Sequence, residues 1–412
     1  MKTLRFGRGA GLATAARTQP AFQDEAQSTP AQDDRNDHLS RNVYGLLGIP
    51  IDAISFTILL GAIQDAADRG APFLISTPNV NFLVKSQESA AFRESLLCSH
   101  LCLADGMPLI WIARLLGIPL PERIAGADLF SRLKSAVSSE RPLRVFLVGG
   151  AEGVAAEVRD KLNAEQCGLR CVGALNPGYG SIEEISAPAV LDQINENPAD
   201  LLAVFFGAEK AQGWLMHNAQ RLRPPIRAQF GATINFEAGR VRRAPRFMRR
   251  NGLEWLWRIK EEPYLWRRYF NDGRALLGLL AGSVLPLMLE ALRSRRSQDA
   301  LRISVAENAD SVVVRLAGDA TAAHVDGAIL QFRTALAAGK SISIDLSEAR
   351  RIDARFFGLL LTLRQALSEG GNRLDFTGLR RGMRRLFRLN RFEFLLSQTG
   401  VAVPDLEFEV CR

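Results

Sequence analysis

From about residue 42 to 235, short apolar runs alternate with segments of helical period, and no other feature restricts the fold of this chain so strongly. The runs at 73–76, 101–104, 144–148, 169–173, 201–206 and 228–231 read as buried strands. Between them, 81–97, 107–116, 128–137, 153–162, 182–194 and 210–222 carry helical spacing. Such alternation predicts a mostly parallel sheet covered by helices. Ligands of sheets like this gather at the carboxyl ends of the strands. Here short polar motifs follow the apolar runs directly.

The texture then changes twice. Residues 240–298 are basic and rich in tryptophan. Beyond them lies a small α/β unit, with strands predicted at 311–316, 341–346 and 373–377, helices at 328–338 and 356–368, and turns at Gly318 and Gly370–Gly371. With 412 residues, 47% hydrophobic and 23% charged, the chain has material for two cores. The predicted organisation is a tail over 1–41, an α/β domain over 42–239, a helical appendage over 240–298 and a second α/β domain over 299–412. The tail is rich in Ala, Gln, Asp and Arg and has no apolar segment, so it is expected to be unstructured, not a signal peptide.

Charge is localised. The formal net charge is +8, and between Arg240 and Arg274 eleven Lys or Arg face four Asp or Glu. Nucleic-acid binding is one reading of that stretch. However, Trp255, Trp257, Tyr264 and Trp266 interleave with the cations, and an apolar run over 275–289 follows at once. Cations, aromatics and a short apolar segment together fit an anionic membrane surface better, and no nucleic-acid partner is assigned. The apolar run is fifteen residues long and contains Ser283 and Pro286. A bilayer span needs about twenty, so a buried or interfacial helix is expected. Cys98 and Cys102, and Cys167 and Cys171, are spaced four apart, with His100 inside the first pair. Zinc sites more commonly use a two-residue gap. Packed thiols are therefore preferred, and no metal or cofactor is assigned.

Three loops carry candidate chemistry. Thr77-Pro78-Asn79 follows the first strand, and its turn leaves two polar side chains at the strand-end crevice. Asp105-Gly106 follows the second; a carboxylate beside glycine can approach a ligand closely, yet Asp is also a preferred helix N-cap. From spacing alone both readings stay open. Arg123, between Glu122 and Asp128, could grip a diphosphate bidentately or pair with either acid.

These residues carry a resemblance. The run Thr77-Pro78-Asn79, then Ala104-Asp105-Gly106-Met107-Pro108, then the stretch from Leu116 to Leu129 is similar to the WecG/TagA/CpsF family of sugar transferases, and so is the basic stretch from Ala238 to Tyr269. The resemblance covers roughly residues 42–274. It implies transfer of a sugar from a UDP-sugar to a lipid-diphosphate-linked saccharide, with inversion, in cell-surface polysaccharide assembly. It makes Asp105 the general base that takes the acceptor proton and Arg123 the cation that stabilises the departing diphosphate. Thr77, Asn79 and Gly106 would line the donor pocket. Gly149 and Gly150 would offer backbone N–H groups to phosphate, and Gly178-Tyr179 would lie near the nucleotide. Arg243 and Arg246 are candidates to close over the diphosphate. Since no Asp-x-Asp motif follows a strand, metal-independent transfer is expected. The family's Gly-Ala-Pro-Lys-Gln-Glu motif becomes Gly207-Ala208-Glu209-Lys210-Ala211-Gln212 here, with Gln212 kept as a substrate-binding candidate, and Asn235 stands where many relatives carry an acid.

Val312–Asp319 and 342–347 are similar to the opening strands of STAS domains. Asp353-Ala354-Arg355 stands at their Asp-Ser-Ser-Gly loop, with Ala354 in place of the regulatory serine, so an unswitched docking module for a protein partner is implied. Arg381, Arg384, Arg385 and Arg388 share one helical face, suited to an acidic partner, a membrane or plain solvation. The expected fold class is therefore α/β: a Rossmann-like, mostly parallel sheet with a helical C-terminal appendage, followed by a small STAS-like α/β domain. The expected place is the cytoplasm, peripheral on the inner face of the plasma membrane; self-association stays open. A scaffold with weakened transferase activity is the alternative reading. A dinucleotide oxidoreductase is disfavoured, as the glycine turn lacks the Gly-x-Gly-x-x-Gly spacing.

Overall fold

Five consecutive buried residues, as in Leu201–Phe205, leave no polar face for water, so they are stable only inside a covered sheet. The computed structural model, which describes residues 37–136, 141–165, 167–294 and 299–397, meets that demand. The first lobe holds strands β1 (Val43–Leu46), β2 (Ile49–Asp52), β3 (Phe73–Ser76), β4 (Leu101–Cys102), β5 (Leu143–Gly149), β6 (Leu169–Leu175), β7 (Leu201–Phe205) and β8 (Ile226–Gln229). Strands β3 to β8 form one sheet in the order β4-β3-β8-β7-β5-β6. All its pairings are parallel. Because every strand points the same way, all six carboxyl ends open on one edge.

The predicted strands fall within a few residues of those observed. Differences lie where local chemistry interrupts a pattern. The single helix expected over 81–97 is two, Val80–Glu88 and Ala90–Leu97. Between them Ser89 is extended (φ −121°, ψ 117°), and its hydroxyl caps the second helix by accepting from the Phe92 N–H. The segment expected as a helix over 182–194 becomes a 3₁₀ turn, Glu184–Ser186, and a helix beginning at Pro188. The β1–β2 hairpin and the helix Phe56–Arg69 were not expected.

The appendage departs most from expectation. Its apolar run is the second half of a helical rod, Pro263–Leu292, thirty residues long and apolar enough to cross a membrane by length and composition. A π-helical turn, Leu280–Val284, stands immediately before Pro286, where the chain has no N–H to give, and the rod continues through it. Leu279, Val284 and Leu287 pack into the first lobe, whereas Leu277, Leu285, Leu289 and Leu292 are exposed. The rod lies along the protein surface. The four described cysteines are free thiols. Cys102 is buried, and the Nδ1 atom of half-buried His100 accepts from the Leu74 N–H.

The second lobe contains β9 (Arg302–Glu307), β10 (Ser311–Ala320), β11 (Ser341–Ile352) and β12 (Leu374–Thr377), in the order β12-β11-β10-β9 with only β9 antiparallel. Its core gathers Val314, Ile344, Phe332, Phe356 and their neighbours. The helix Ala354–Glu369, capped by the Asp353 carboxylate, lies directly on the β1–β2 hairpin of the first lobe. A Cβ on Gly45 would sit 2.7 Å from the Phe392 ring, and one on Gly358 would overlap the Val43 carbonyl oxygen. Arg355, buried between the lobes, donates to the carbonyls of Val43 (3.1 Å) and Arg41 (3.3 Å). Arg41 in turn grips Asp52 with two nitrogens and reaches Gln365 at 2.9 Å. The described residues from 38 to 397 thus make one compact unit.

The fit gives a stability test. Gly358→Ala should destabilise the protein by about 1–3 kcal/mol, as overpacking against backbone cannot relax. Gly327→Ala, in the open second-lobe helix where a Cβ meets nothing, should be neutral or stabilising by up to about 1 kcal/mol. Urea midpoints of the two variants check the contrast.

Candidate active site

The common edge of the strands opens into a cavity of about 880 Å³, closed on its far side by the appendage. Thr77 and Asn79 after β3, Asp105 and Gly106 after β4, Gly150 after β5, Gly178 and Tyr179 after β6 all line it. The sheet brings together residues spread over a hundred positions. Asn79 also caps the helix Val80–Glu88, its Oδ1 accepting from the Phe82 N–H at 3.2 Å.

Geometry decides between the two readings of Asp105. The N-cap of the following helix, Met107–Leu115, is Gly106, at φ 99°, with no side-chain cap. The Asp105 carboxylate instead reaches the Gly126 N–H, at 3.4 Å, across the loop. It is not a cap for its own helix. Burial pushes its carboxyl up to about 7, Arg123 opposes that rise, Glu254 and Asp128 add to it, and the Gly126 N–H opposes it. A carboxyl of that pKa is poised to take a proton near neutral pH.

Arg123 sits beside it in a cluster of ions. Its two terminal nitrogens bond Asp128 (2.8 Å) and Glu254 (3.1 Å). The other oxygen of Asp128 accepts from Arg243 (2.6 Å) and Arg249 (3.1 Å). Three guanidinium groups therefore face two carboxylates, leaving positive charge in surplus next to Asp105. Burial works against the charge on Arg123, but Asp105, Glu254 and Asp128 more than offset it and raise its pKa. The loop over 120–126 comes from the sheet, whereas Arg243, Arg249 and Glu254 come from the appendage, so the cluster fastens one to the other.

Other candidates lie elsewhere. Arg243 reaches Asp128 and does not line the cavity, and Arg246 is exposed outside it. Gly149 (φ 100°) lies behind the lining, where a Cβ would strike the Phe206 ring at 2.7 Å; its neighbour Gly150 reaches the cavity. Gln212 is fully buried behind the sheet edge, and its Nε2 donates to Ser76 Oγ at 2.8 Å. That places the altered Ala211-Gln212 pair in the core, away from the cavity wall. Asn235, by contrast, does line it.

The sequence reading missed several lining residues. Lys210 donates to the Gly180 carbonyl (2.7 Å) beneath the Tyr179 turn. Glu254, Trp255, Tyr264 and Tyr269 form the appendage wall. All four lie in the basic, aromatic stretch that the resemblance singled out, where the cations were weighed for the site and the aromatics only for a membrane surface. Asp272, lower on that wall, accepts from Asn81 Nδ2 at 3.2 Å. Among the described residues no three His, Cys, Asp or Glu side chains gather as metal ligands would.

Comparison with known proteins agrees with this layout. The glycosyl transferase WecG/TagA/CpsF family matches residues 44–297, and the Mlab, STAS domain family matches residues 303–397. An N-acetylglucosaminyldiphosphoundecaprenol N-acetyl-beta-D-mannosaminyltransferase of Bacillus spizizenii (strain ATCC 23059 / NRRL B-14472 / W23) is 29% identical over 214 residues, 52% of this chain and 80% of the relative. A protein of the same name from Bacillus subtilis (strain 168) is 28% identical over 214 residues, 52% of this chain and 81% of the relative. With its strand-end cavity inside the matched segment and a STAS domain behind it, the chain belongs to the WecG/TagA/CpsF family of glycosyltransferases.

Proposed function

We propose that the protein is an inverting glycosyltransferase moving a sugar from a UDP-sugar to a lipid-diphosphate-linked saccharide during bacterial cell-surface polymer assembly. The observation that carries this reading is Asp105, half-buried in the cavity wall with its carboxyl raised to about 7 beside the Arg123 cluster. The relatives' names place an undecaprenol-linked N-acetylglucosaminyl diphosphate as their acceptor, and an acceptor of that class suits a cavity walled by an apolar appendage.

In this reading the acceptor hydroxyl gives its proton to the Asp105 carboxylate as its oxygen attacks the anomeric carbon. The bond from that carbon to the diphosphate breaks on the opposite face, and UDP leaves. Arg123 meets the negative charge that collects on the departing diphosphate, fixed in place by Asp128 and Glu254 before substrate arrives. Tyr179 and the Gly178 turn serve the nucleotide. Trp255, Tyr264 and Tyr269 face the acceptor. The chemistry needs no metal, since a fixed guanidinium supplies the charge. Because Ala211 and Gln212 lie in the core, their departure from the family pattern gives the scaffold alternative little support. Asn235 is where a distinct sugar preference would act. The exposed leucines of the Pro263–Leu292 rod support attachment to a membrane beside a lipid-linked acceptor, and in this reading the enzyme works from the cytoplasmic face.

Two measurements test the reading. With a panel of UDP-sugars and undecaprenyl-diphosphate-linked acceptors, Asp105→Asn should lower kcat about 10²–10⁴-fold while UDP still binds; failure of the wild type to turn over any of the donors would count against an enzyme. The pH profile gives the second. The base form of Asp105 is lost as pH falls through its raised pKa, so kcat/KM should drop about tenfold per unit below about 7 and be flat above it. Glu254→Gln removes a negative neighbour and should move that limb to lower pH.

A further inference from the structure

We propose that the helix Arg381–Leu389 of the STAS domain is the electrostatic half of a membrane-binding surface, taking anionic phospholipid headgroups while the adjacent Pro263–Leu292 rod supplies the apolar half. The inference rests on the reading of that rod as an interfacial element and assigns a partner to a part of the chain that the transferase reaction does not use.

Residues 378–392 hold six arginines and no acid. Met383, Phe387 and Leu389 turn the helix's apolar side inward, whereas Arg380, Arg381, Arg384, Arg385 and Arg388 are all exposed. The arrangement costs stability. Arg380 and Arg381 sit at the helix N-terminus, against the dipole, and 381, 384, 385 and 388 are like charges at spacings of three and four. Surface ion pairs of Arg385 with Glu290 and of Arg388 with Glu393 return little of that cost, and an anionic surface offsets the rest.

Position supplies the second argument. Arg385 pairs with Glu290 of the apolar rod at 2.7 Å, and Arg391 donates to Ser283 at 3.1 Å. These contacts fix the arginine helix alongside the rod, whose exposed positions Leu277, Ala281, Leu285, Leu289 and Leu292 form a stripe at helical spacing. A nucleic acid would meet the arginines but offer nothing to the leucines. A bilayer surface meets both. The other prominent face of the STAS domain, the helix Ala354–Glu369, is already covered by the β1–β2 hairpin.

The test is co-sedimentation of the full chain with phosphatidylcholine vesicles, with and without about one-third phosphatidylglycerol. Wild type should partition onto the anionic vesicles and release as salt rises. Arg381→Gln/Arg384→Gln should bind them at least about tenfold more weakly, Arg381→Lys/Arg384→Lys should retain binding, and both should turn over a water-soluble short-chain acceptor like wild type. If the glutamine variant binds as tightly as wild type, this inference falls and the interfacial reading of the rod stands. If wild type ignores both vesicle types, or prefers duplex DNA to the anionic ones, both fall.

Discussion

Asp128 accepts from three arginines that reach it from two directions, Arg123 from the strand-end loop and Arg243 and Arg249 from the appendage. Without that carboxylate the three guanidinium groups would repel one another, and the appendage would lose two of its ionic ties to the sheet beside the cavity. With it, the cavity acquires a fourth wall, Glu254 comes within reach of Arg123, and surplus positive charge is held in place next to Asp105. The anchored charge of Arg123 is thus a consequence of this hub, whereas the raised pKa of Asp105 comes first from burial, with Asp128 the smallest of its contributors. Such preorganisation matters for charge that develops during reaction, because the groups that stabilise it need not move.

The same appendage faces two ways. Its inner side closes the cavity with Trp255, Tyr264 and Tyr269, and its outer side exposes leucines along a thirty-residue rod. One element therefore couples the reacting centre to the surface at which a lipid-linked acceptor would be presented. The STAS domain is fastened to the β1–β2 hairpin of the first lobe through Arg355, Arg41 and the close approach of Gly358 to Val43. A glycine is needed there since any Cβ would overlap a carbonyl oxygen. The expectation of a separately acting docking module is thereby changed: the helix that begins at the Asp353-Ala354 turn is spent on an internal interface.

Much of this was legible in the sequence, for definite reasons. Strands buried on both faces, such as 144–148 and 201–206, cannot be read as anything else when helical segments separate them, and the parallel sheet follows. Thr77 and Asp105 stood out because they directly follow the runs at 73–76 and 101–104, and Arg123 because its loop carries the family resemblance. The hairpin over 43–52 was not legible, since its burial depends on the second lobe, three hundred residues away. Gln212 looked like a ligand residue by its motif, yet which side of a helix faces a cavity depends on how that helix packs. The apolar run read as too short to span a bilayer because it is fifteen residues long and broken by Ser283 and Pro286, and the π-helical turn that carries the helix through shows only in three dimensions.

The sequence by itself determined the two α/β lobes, the edge at which the site lies and the residue types available to it. All of these rest on local period and on polar residues at strand ends. Tertiary structure alone decided that Asp105 is a half-buried acid in the cavity wall and not a helix cap, that Arg123 is held by Asp128 and Glu254, and that the STAS domain is bound to its own transferase. Those properties depend on burial and on charges brought together from distant positions, and a residue's dielectric surroundings are set by neighbours that its own segment does not contain.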